Sequence, residues 1–209
     1  MGEMISTIAH QWRQPLTHLS FIFMNMKKKA DNPEFVKSKL EEGKTQITYM
    51  SQTIEHFSNF YNPSKEKVEF SIKEACEVAI MIASPALQKV RINLDFKGDD
   101  FKHYGNQNEF EQVILNLINN ARDMLVQRDI KEPSITIMIA QNSIMIEDNA
   151  GGVKGKNINK IFEPYFTTKT KSDGIGLYIA KTIIEKEMGG KLSVNNTSKG
   201  AKFTINLQS

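Results

Sequence analysis

Two long apolar repeats, separated by a proline, constrain the first third of the chain. Apolar side chains recur at three- and four-residue steps from Met4 to about residue 30, and again from Val36 to Tyr61. This spacing is typical of amphipathic helices. Asp31-Asn32-Pro33 lies between the repeats, and proline neither continues a helix nor favours helix at the preceding residue. The sequence therefore predicts two helices joined by a short turn.

Each repeat forms a heptad seam that a single hairpin buries poorly. In the first helix the seam consists of Ile5, Ile8, Trp12, Pro15 or Leu16, Leu19, Phe23, Met26 and Ala30. In the second it consists of Val36, Leu40, Gly43, Ile47, Met50, Ile54, Phe57 and Tyr61, with a hole at Gly43. Two hairpins packed as a four-helix bundle cover such seams. We therefore expect residues 1–62 to form a helical dimerisation domain and the chain to be a homodimer.

After an expected linker at Tyr61-Asn62-Pro63-Ser64, the pattern becomes mixed α and β over residues 66–209. Ser71 and Glu74 form a capping box, and Asn106 and Glu109 start a further helix. Helices are expected from these points to about Val90 and Arg128, and from Gly174 to Met188. Strands are expected at Val68–Phe70, Arg91–Lys97, Ile135–Ala140, Ile144–Glu147, Lys191–Asn195 and Ala201–Leu207. The fold class is therefore α+β, a helical hairpin followed by a separate α/β domain.

Composition narrows the functional classes. The 209 residues are 40% hydrophobic, which is enough for a core. The net charge of +3 comes from interleaved acids and bases, so we expect neither a nucleic-acid partner nor membrane contact by this segment. A single cysteine, Cys76, excludes an internal disulfide framework and favours a cytoplasmic location. The first helix starts abruptly, so we expect an upstream sensor domain in a longer protein, either soluble or membrane-bound.

His10 is the candidate nucleophile. It lies two residues beyond Ile8, on the outward face of the first helix, where a largely neutral imidazole offers a free ring nitrogen at pH 7. A lone exposed histidine is more often an idle surface residue. However, Pro15 interrupts the same helix at a cost of ~3 kcal/mol. This distortion, together with the domain that follows, favours a functional histidine.

Two polar features in the second domain are candidates for ligand binding. Asn116 and Asn120 share one face of an otherwise apolar helix, although asparagine is a poor helix former. Amide oxygens suit Mg²⁺ and amide nitrogens suit phosphate, but hydrogen bonds to neighbouring loops would also explain the pair. Asp148 ends a strand before Asn149-Ala150-Gly151-Gly152. Its carboxylate could accept a hydrogen bond from the amine of adenine, or this could be an ordinary turn.

Two further segments complete the set. Gly174-Ile175-Gly176-Leu177 opens a helix, where glycine amides can cradle an anion. That signal is weak by itself. Ile161–Lys169 carries three aromatic residues in a glycine-flanked loop, which is typical of a lid that closes on a ligand.

Taken in this order, the motifs closely resemble those of sensor histidine kinases of two-component systems, over nearly the whole chain. Ile8–Leu16 resembles the phospho-acceptor box and Asn108–Met124 the N box. Asp148–Val153 resembles the first glycine box, Ile161–Lys169 the F box and Gly174–Leu177 the second glycine box.

The resemblance implies a mechanism and a fold. His10 would be phosphorylated from Mg·ATP and would pass the phosphoryl group to an aspartate of a response-regulator receiver domain. Asn120 would hold Mg²⁺, Asn116 would contact the phosphates and Asp148 would bind adenine. Gln14, one turn after His10, would orient water in a possible phosphatase reaction. The second domain would be an α/β sandwich of the gyrase, MutL and histidine kinase type. Further nucleotide contacts would come from Gly152, Phe162, Lys169, Gly174, Gly176 and Leu177.

Three residues depart from the family pattern, and a fourth differs from hydrolytic relatives of the same sandwich. Gln11 stands where many members carry an acidic general base, Ala150 replaces a usual glycine, and Asp123 replaces a basic residue. Gln11 and Ala150 leave open a nucleotide-binding pseudokinase scaffold. Gln112 occupies the place of the catalytic glutamate of hydrolytic relatives, and it disfavours the other alternative, an ATP hydrolase.

Overall fold

The computed structural model describes residues 16–60, 66–155, 158, 160–168 and 174–207. The chain divides into two compact units, Met1–Ser64 and Lys65–Ser209. In the described part of the chain, no helix combines the length and the apolar character needed to cross a membrane.

Residues 16–60 of the first unit form two helices, α1 (16–28) and α2 (Pro33–Phe60). The break between them falls at the predicted place. The side chain of Asn32 accepts a hydrogen bond from the backbone N–H of Phe35 at 3.0 Å, which caps α2. Pro33 then occupies the first helical position, where its missing N–H is not needed.

Gly43 is the point where the two helices pack together. A Cβ built on Gly43 would lie 3.9 Å from side-chain atoms of both Leu19 and Ile22, which are buried. Ile22 was not among the predicted seam residues, whereas Phe23, which was, is 59% exposed. Within one hairpin, α1 therefore turns Leu19 and Ile22 inward and leaves part of the predicted seam uncovered. The helices are also linked by His18 Nε2 and Glu42 Oε1, 3.0 Å apart.

Within its described residues, the second unit contains three helices and seven strands. The helices are α3 (Ile72–Lys89), α4 (Gln107–Gln127) and α5 (Gly176–Thr182), which continues as a π-helix over Ile183–Glu187. The strands are β1 (Val68–Ser71), β2 (Asn93–Gly98), β3 (Lys102–Gly105), β4 (Ser134–Ala140), β5 (Ser143–Asp148), β6 (Lys191–Asn196) and β7 (Ala201–Asn206).

Five of the strands form the main sheet, in the order β2-β4-β5-β7-β6. β2 and β4 are parallel, and the remaining neighbours are antiparallel. The predicted hairpin of β4 and β5 is confirmed, with Ile137 opposite Ile146. β1 and β3 form a separate antiparallel pair. Buried and half-buried residues alternate along β4 and β5, as expected for a sheet with one face in the core.

α4 is the central helix of the layer that covers the sheet. It packs against α3, α5, β4 and β5. Its buried side chains recur at helical spacing and include Phe110, Val113, Ile114, Leu117, Ile118, Ala121 and Leu125. The opposite stripe keeps Asn116 and Asn120 half-buried. The two layers form the α/β sandwich that the resemblance implied.

Helix caps were predicted more accurately than some strand limits. The side chain of Ser71 accepts from Glu74 N, and that of Asn106 accepts from Glu109 N, each at 3.0 Å, as expected for N-caps. β2 begins at Asn93 rather than at Arg91, because Arg91 has a left-handed backbone conformation with φ +56°. The β3 strand was not predicted.

Candidate functional site

Asp148 lies at the end of β5 and is buried. Its Oδ1 accepts hydrogen bonds from the backbone N–H groups of Ala150, at 2.8 Å, and Ala201, at 3.3 Å. Among the described residues, no hydrogen bond reaches the second carboxylate oxygen. Asp148 therefore offers one fixed, desolvated acceptor oxygen at the end of β5, the central strand of the sheet.

Burial raises the pKa of the Asp148 carboxyl, because a charged carboxylate loses hydration there. The hydrogen bonds from Ala150 and Ala201 and the positive charge of Arg128 act in the opposite direction. The net effect is a raised pKa, which a few specific neighbours partly oppose. This balance makes Asp148 a candidate for ligand recognition.

The backbone passes very close to Asp148 at Gly200. A Cβ at this position would lie 2.0 Å from the Asp148 carbonyl oxygen and 2.5 Å from its Oδ1. No side chain fits at such distances, so only glycine is compatible with this close approach of the chain, one residue before β7, to Asp148.

Residues 149–153, which follow β5, form the glycine loop. Side chains on both sides of this loop hold it in place. Asn149 accepts from Ser134 N at 2.9 Å and donates to Glu132 O at 2.8 Å. Asn196 pairs with Val153 as a backbone strand would, accepting from its N–H at 2.7 Å and donating to its carbonyl at 2.8 Å. A Cβ at Gly152 would lie 2.6 Å from Asn196 Oδ1, so this pairing requires the glycine.

The asparagine face of α4 meets the start of α5. Asn116 Nδ2 lies 3.4 Å from the carbonyl oxygen of Gly176, to which it donates. Within the described residues, no hydrogen bond reaches its amide oxygen. Asn120 lies one turn further along the same helix. The structure thus brings Asn116 and the second glycine box together, as the nucleotide hypothesis requires.

The unusual acid Asp123 is paired with its neighbour. Arg122 Nη2 lies 2.7 Å from Asp123 Oδ1, and Arg122 Nη1 donates to Asn119 Oδ1 at 2.8 Å. Asp123 stands where many sensor histidine kinases carry a basic residue. In this chain Arg122 places a guanidinium beside it and offsets its charge.

The F-box segment begins with packed residues. Phe162 contacts Phe203 edge to face, with ring centroids 6.3 Å apart, and Lys181 Nζ lies 4.9 Å from the Phe162 ring centroid. Phe162 thus packs the F-box segment against β7 and α5. Its contact with nucleotide stays a prediction. Tyr165 N donates to Gly174 O at 3.0 Å, which brings the two ends of the intervening loop together.

Four predicted site residues, His10, Gln11, Gln14 and Lys169, lie outside the described part of the chain. Gly152, Gly174 and Leu177 are described, and both glycines have positive φ, +75° and +66°. Ala150 lies outside the left-handed region, so alanine is tolerated where relatives have glycine.

Sequence reasoning missed Arg128, Asn196 and Gly200. Arg128 Nη1 donates to the carbonyl oxygens of Ala150 and Gly152. A lone arginine at a helix end and an asparagine at a strand end look like ordinary surface residues in a sequence. Gly200 carried a weak signal, because Ser198-Lys199-Gly200 precedes a strand as a turn would.

Comparison with known proteins identifies the family of the second unit. Residues 105–209 match the family described as histidine kinase-, DNA gyrase B-, and HSP90-like ATPase. The two-component sensor PprA of Pseudomonas aeruginosa is 29% identical over 99% of this chain, and the match covers 24% of PprA. The sensor protein FixL of Bradyrhizobium diazoefficiens is 27% identical over 99% of this chain and 43% of FixL. The chain thus spans less than half the length of these relatives.

A solved structure matches across both units. Histidine kinase ThkA, in complex with response regulator protein TrrA, is 26% identical with a TM-score of 0.67, over 99% of this chain and 61% of that one. The catalytic domain of ThkA alone is 27% identical with a TM-score of 0.56, over 68% of this chain and 95% of that one. The chain therefore belongs to the histidine kinase-, DNA gyrase B- and HSP90-like ATPase family and, within it, to the sensor histidine kinases.

Proposed function

We propose that this chain binds Mg·ATP in its second unit and transfers the γ-phosphoryl group to His10. The phosphohistidine then donates the group to an aspartate of a response-regulator receiver domain. Family membership supports the kinase role, and the similarity to a histidine kinase that was solved with a response regulator supports the partner class.

The buried carboxylate of Asp148 carries the proposal. Ala150 N and Ala201 N occupy Oδ1, which fixes the direction of the second oxygen. A fixed, desolvated acceptor suits the exocyclic amine of adenine, because a charge-assisted hydrogen bond is worth more away from water. Asp148 therefore selects the base, and hydrogen bonds with neighbouring residues hold the loop around it in shape.

The asparagine face of α4 suits the phosphates and a magnesium ion. The described residues contain no cluster of three or more His, Cys, Asp or Glu side chains that could hold a metal. Mg²⁺ in nucleotide sites needs only one or two protein ligands, since phosphate oxygens and waters complete its shell. Asn120 would supply such a ligand, and the ion would neutralise charge on the phosphates. Asn116, beside Gly176, orients the phosphate chain.

The transfer itself needs little protein chemistry. A neutral imidazole nitrogen of His10 forms the N–P bond while the bond from the γ-phosphorus to the β,γ-bridging oxygen breaks, and ADP leaves. The ring proton passes to water, because Gln11 accepts a hydrogen bond but not a proton. Positioning and charge neutralisation then supply most of the rate.

The helical unit is proposed to act as a homodimer. Several large apolar side chains of the described hairpin are exposed, namely Leu16, Phe21, Phe23, Met24, Leu40 and Ile47. Leu16, Phe23, Leu40 and Ile47 are also predicted seam positions, and a second hairpin would cover them. We expect light scattering to find a dimer for the full chain and a monomer for residues 66–209. A monomeric full chain at micromolar concentration would contradict the bundle.

One assay separates the proposed kinase from the two alternatives. The chain is incubated with Mg²⁺ and ATP labelled at the γ-phosphate, and the label is followed over time. A kinase places the label on the protein, a hydrolase releases it as inorganic phosphate, and a pseudokinase does neither. The proposal predicts label on the protein, and either other result would overturn it.

A further inference from the structure

The side chain of Arg128 connects α4, the helix that carries Asn116 and Asn120, to the glycine loop. Arg128 is the C-cap residue of α4, whereas Ala150 and Gly152 follow β5. Arg128 Nη1 donates to the carbonyl oxygens of both residues, with 2.9 Å to that of Gly152. Hydrogen bonds from a guanidinium are about twice as strong as neutral ones. A single side chain therefore holds two peptide groups of the loop.

The backbone conformation of the glycine loop suits these two hydrogen bonds from Arg128. Gly151 and Gly152 have φ values of +82° and +75°, a conformation that only glycine adopts easily. A Cβ at Gly151 would lie 3.4 Å from Arg128 Nη1, so the guanidinium sits directly against the loop. On the other side, Gly151 N donates to Lys199 O at 2.9 Å.

Ala150 is the residue through which Arg128 reaches Asp148. The N–H of Ala150 donates to Asp148 Oδ1 at 2.8 Å, and its carbonyl accepts from Arg128. Ala150 is thus fixed at both of its backbone polar groups. Loss of the guanidinium would free the Ala150 carbonyl and loosen one of the two N–H groups that fix the direction of the carboxylate.

The charge of Arg128 acts on Asp148 as well. It lowers the pKa of the Asp148 carboxyl, which burial raises. The other charge that acts on this carboxyl is Glu147, which raises its pKa. Arg128 therefore opposes both the loss of hydration and the neighbouring acid.

We propose that Arg128 is a positioning residue for base recognition, acting through Ala150 to hold the Asp148 carboxylate where it meets an exocyclic amine. This inference rests on the proposed binding of ATP, and it adds a residue outside the sequence motifs. Arg128 contributes to the preference for adenine over a base that carries a carbonyl oxygen in place of the amine.

The test measures that preference. Calorimetry at pH 7.5 gives the Kd values of ATP and of inosine triphosphate for the wild-type chain and for Arg128→Ala, Arg128→Lys and Arg91→Ala. Arg91 is exposed in the described structure, so Arg91→Ala matches the loss of charge away from the loop. Losing a charge-assisted hydrogen bond weakens binding about tenfold. We expect that loss for ATP in Arg128→Ala, a smaller change for inosine triphosphate, partial recovery in Arg128→Lys and wild-type values in Arg91→Ala.

A pH series adds a second readout. Without the Arg128 charge, Asp148 protonates at higher pH, so the acid limb of ATP binding should move to higher pH in Arg128→Ala. Equal losses for both nucleotides with an unmoved acid limb would show a merely structural role and overturn the inference. If Arg128→Ala fails to fold by circular dichroism, Arg128→Lys decides, and an unchanged preference there overturns the inference. Absence of ATP binding by the wild-type chain would instead refute the proposed function, and this inference with it.

Discussion

Replacing Asp148 with asparagine tests the nucleotide site with little disturbance of the fold. The amide oxygen of asparagine can still accept from Ala150 N and Ala201 N, so the two hydrogen bonds that shape the loop are retained. The second oxygen becomes an NH₂ group, which presents a donor to the donor amine of adenine. Losing one charged acceptor costs about 1.5–3 kcal/mol, or a tenfold to hundredfold weaker Kd for Mg·ATP.

The stability of the Asp148→Asn variant should move in the other direction. Burial raises the pKa of Asp148 in the folded state, so its stabilising contribution is fully present below the unfolded pKa. That contribution is lost as the pH rises through the folded pKa. A neutral isostere avoids the loss, so at pH 7 the variant should melt at the wild-type temperature or above, and the difference should vanish in acid.

Calorimetry and thermal melts together measure both effects. Asp95→Asn is the matched control, since Asp95 is exposed on β2 and its partner among the described residues is Lys97, at 3.1 Å. The variant amide should also favour the carbonyl of inosine triphosphate relative to ATP. Wild-type ATP affinity in Asp148→Asn would refute the assignment of adenine to this carboxylate.

Three other outcomes follow from the same account. Asn120→Ala should weaken ATP binding in the presence of Mg²⁺ but hardly in its absence; equal effects in both calorimetric titrations would remove Asn120 as a metal ligand. Gly43→Ala should raise the free energy of unfolding of the helical unit by up to about 1 kcal/mol, because a Cβ there makes only ordinary contacts; a lower melting temperature would contradict the packing around Gly43. Gln11→Glu should raise the single-turnover rate of self-phosphorylation, most clearly at about pH 6–7, because general-base help is typically worth ~10²–10⁴-fold; a flat or lower rate would mean that Gln11 does not replace a base.

Local chemistry explains which elements could be predicted. The caps at Ser71 and Asn106 depend on residues three positions apart, so the sequence displays them directly. The hairpin of β4 and β5 is likewise local, and its alternating apolar residues match the observed burial. β3 spans four residues and is stabilised by pairing with β1, whose paired residues lie 31 to 37 positions earlier, so no local pattern reveals it.

The same distinction holds within the candidate site. Asp148, Asn116 and Asn120 stand in motifs whose residue types suggest their chemistry. Arg128 and Asn196 act on a loop that is distant in sequence, and Arg128 reaches residues 22 and 24 positions away. Their roles arise only from the fold, which brings the end of α4 and the end of β6 to one loop.

The position of the phosphoryl group decides whether His10 is the phosphorylated residue. Three proteins are incubated with Mg²⁺ and γ-labelled ATP, namely the wild-type chain, His10→Ala and His18→Ala. Each labelled protein is then treated with acid or with base. His18 is the matched control, because it lies on α1 and contacts Glu42 in the described structure. The proposed mechanism predicts a label on the protein that is lost in acid and stable in base. The label should be present in the wild type and in His18→Ala and absent in His10→Ala. Acid-stable label, or undiminished label in His10→Ala, would contradict it.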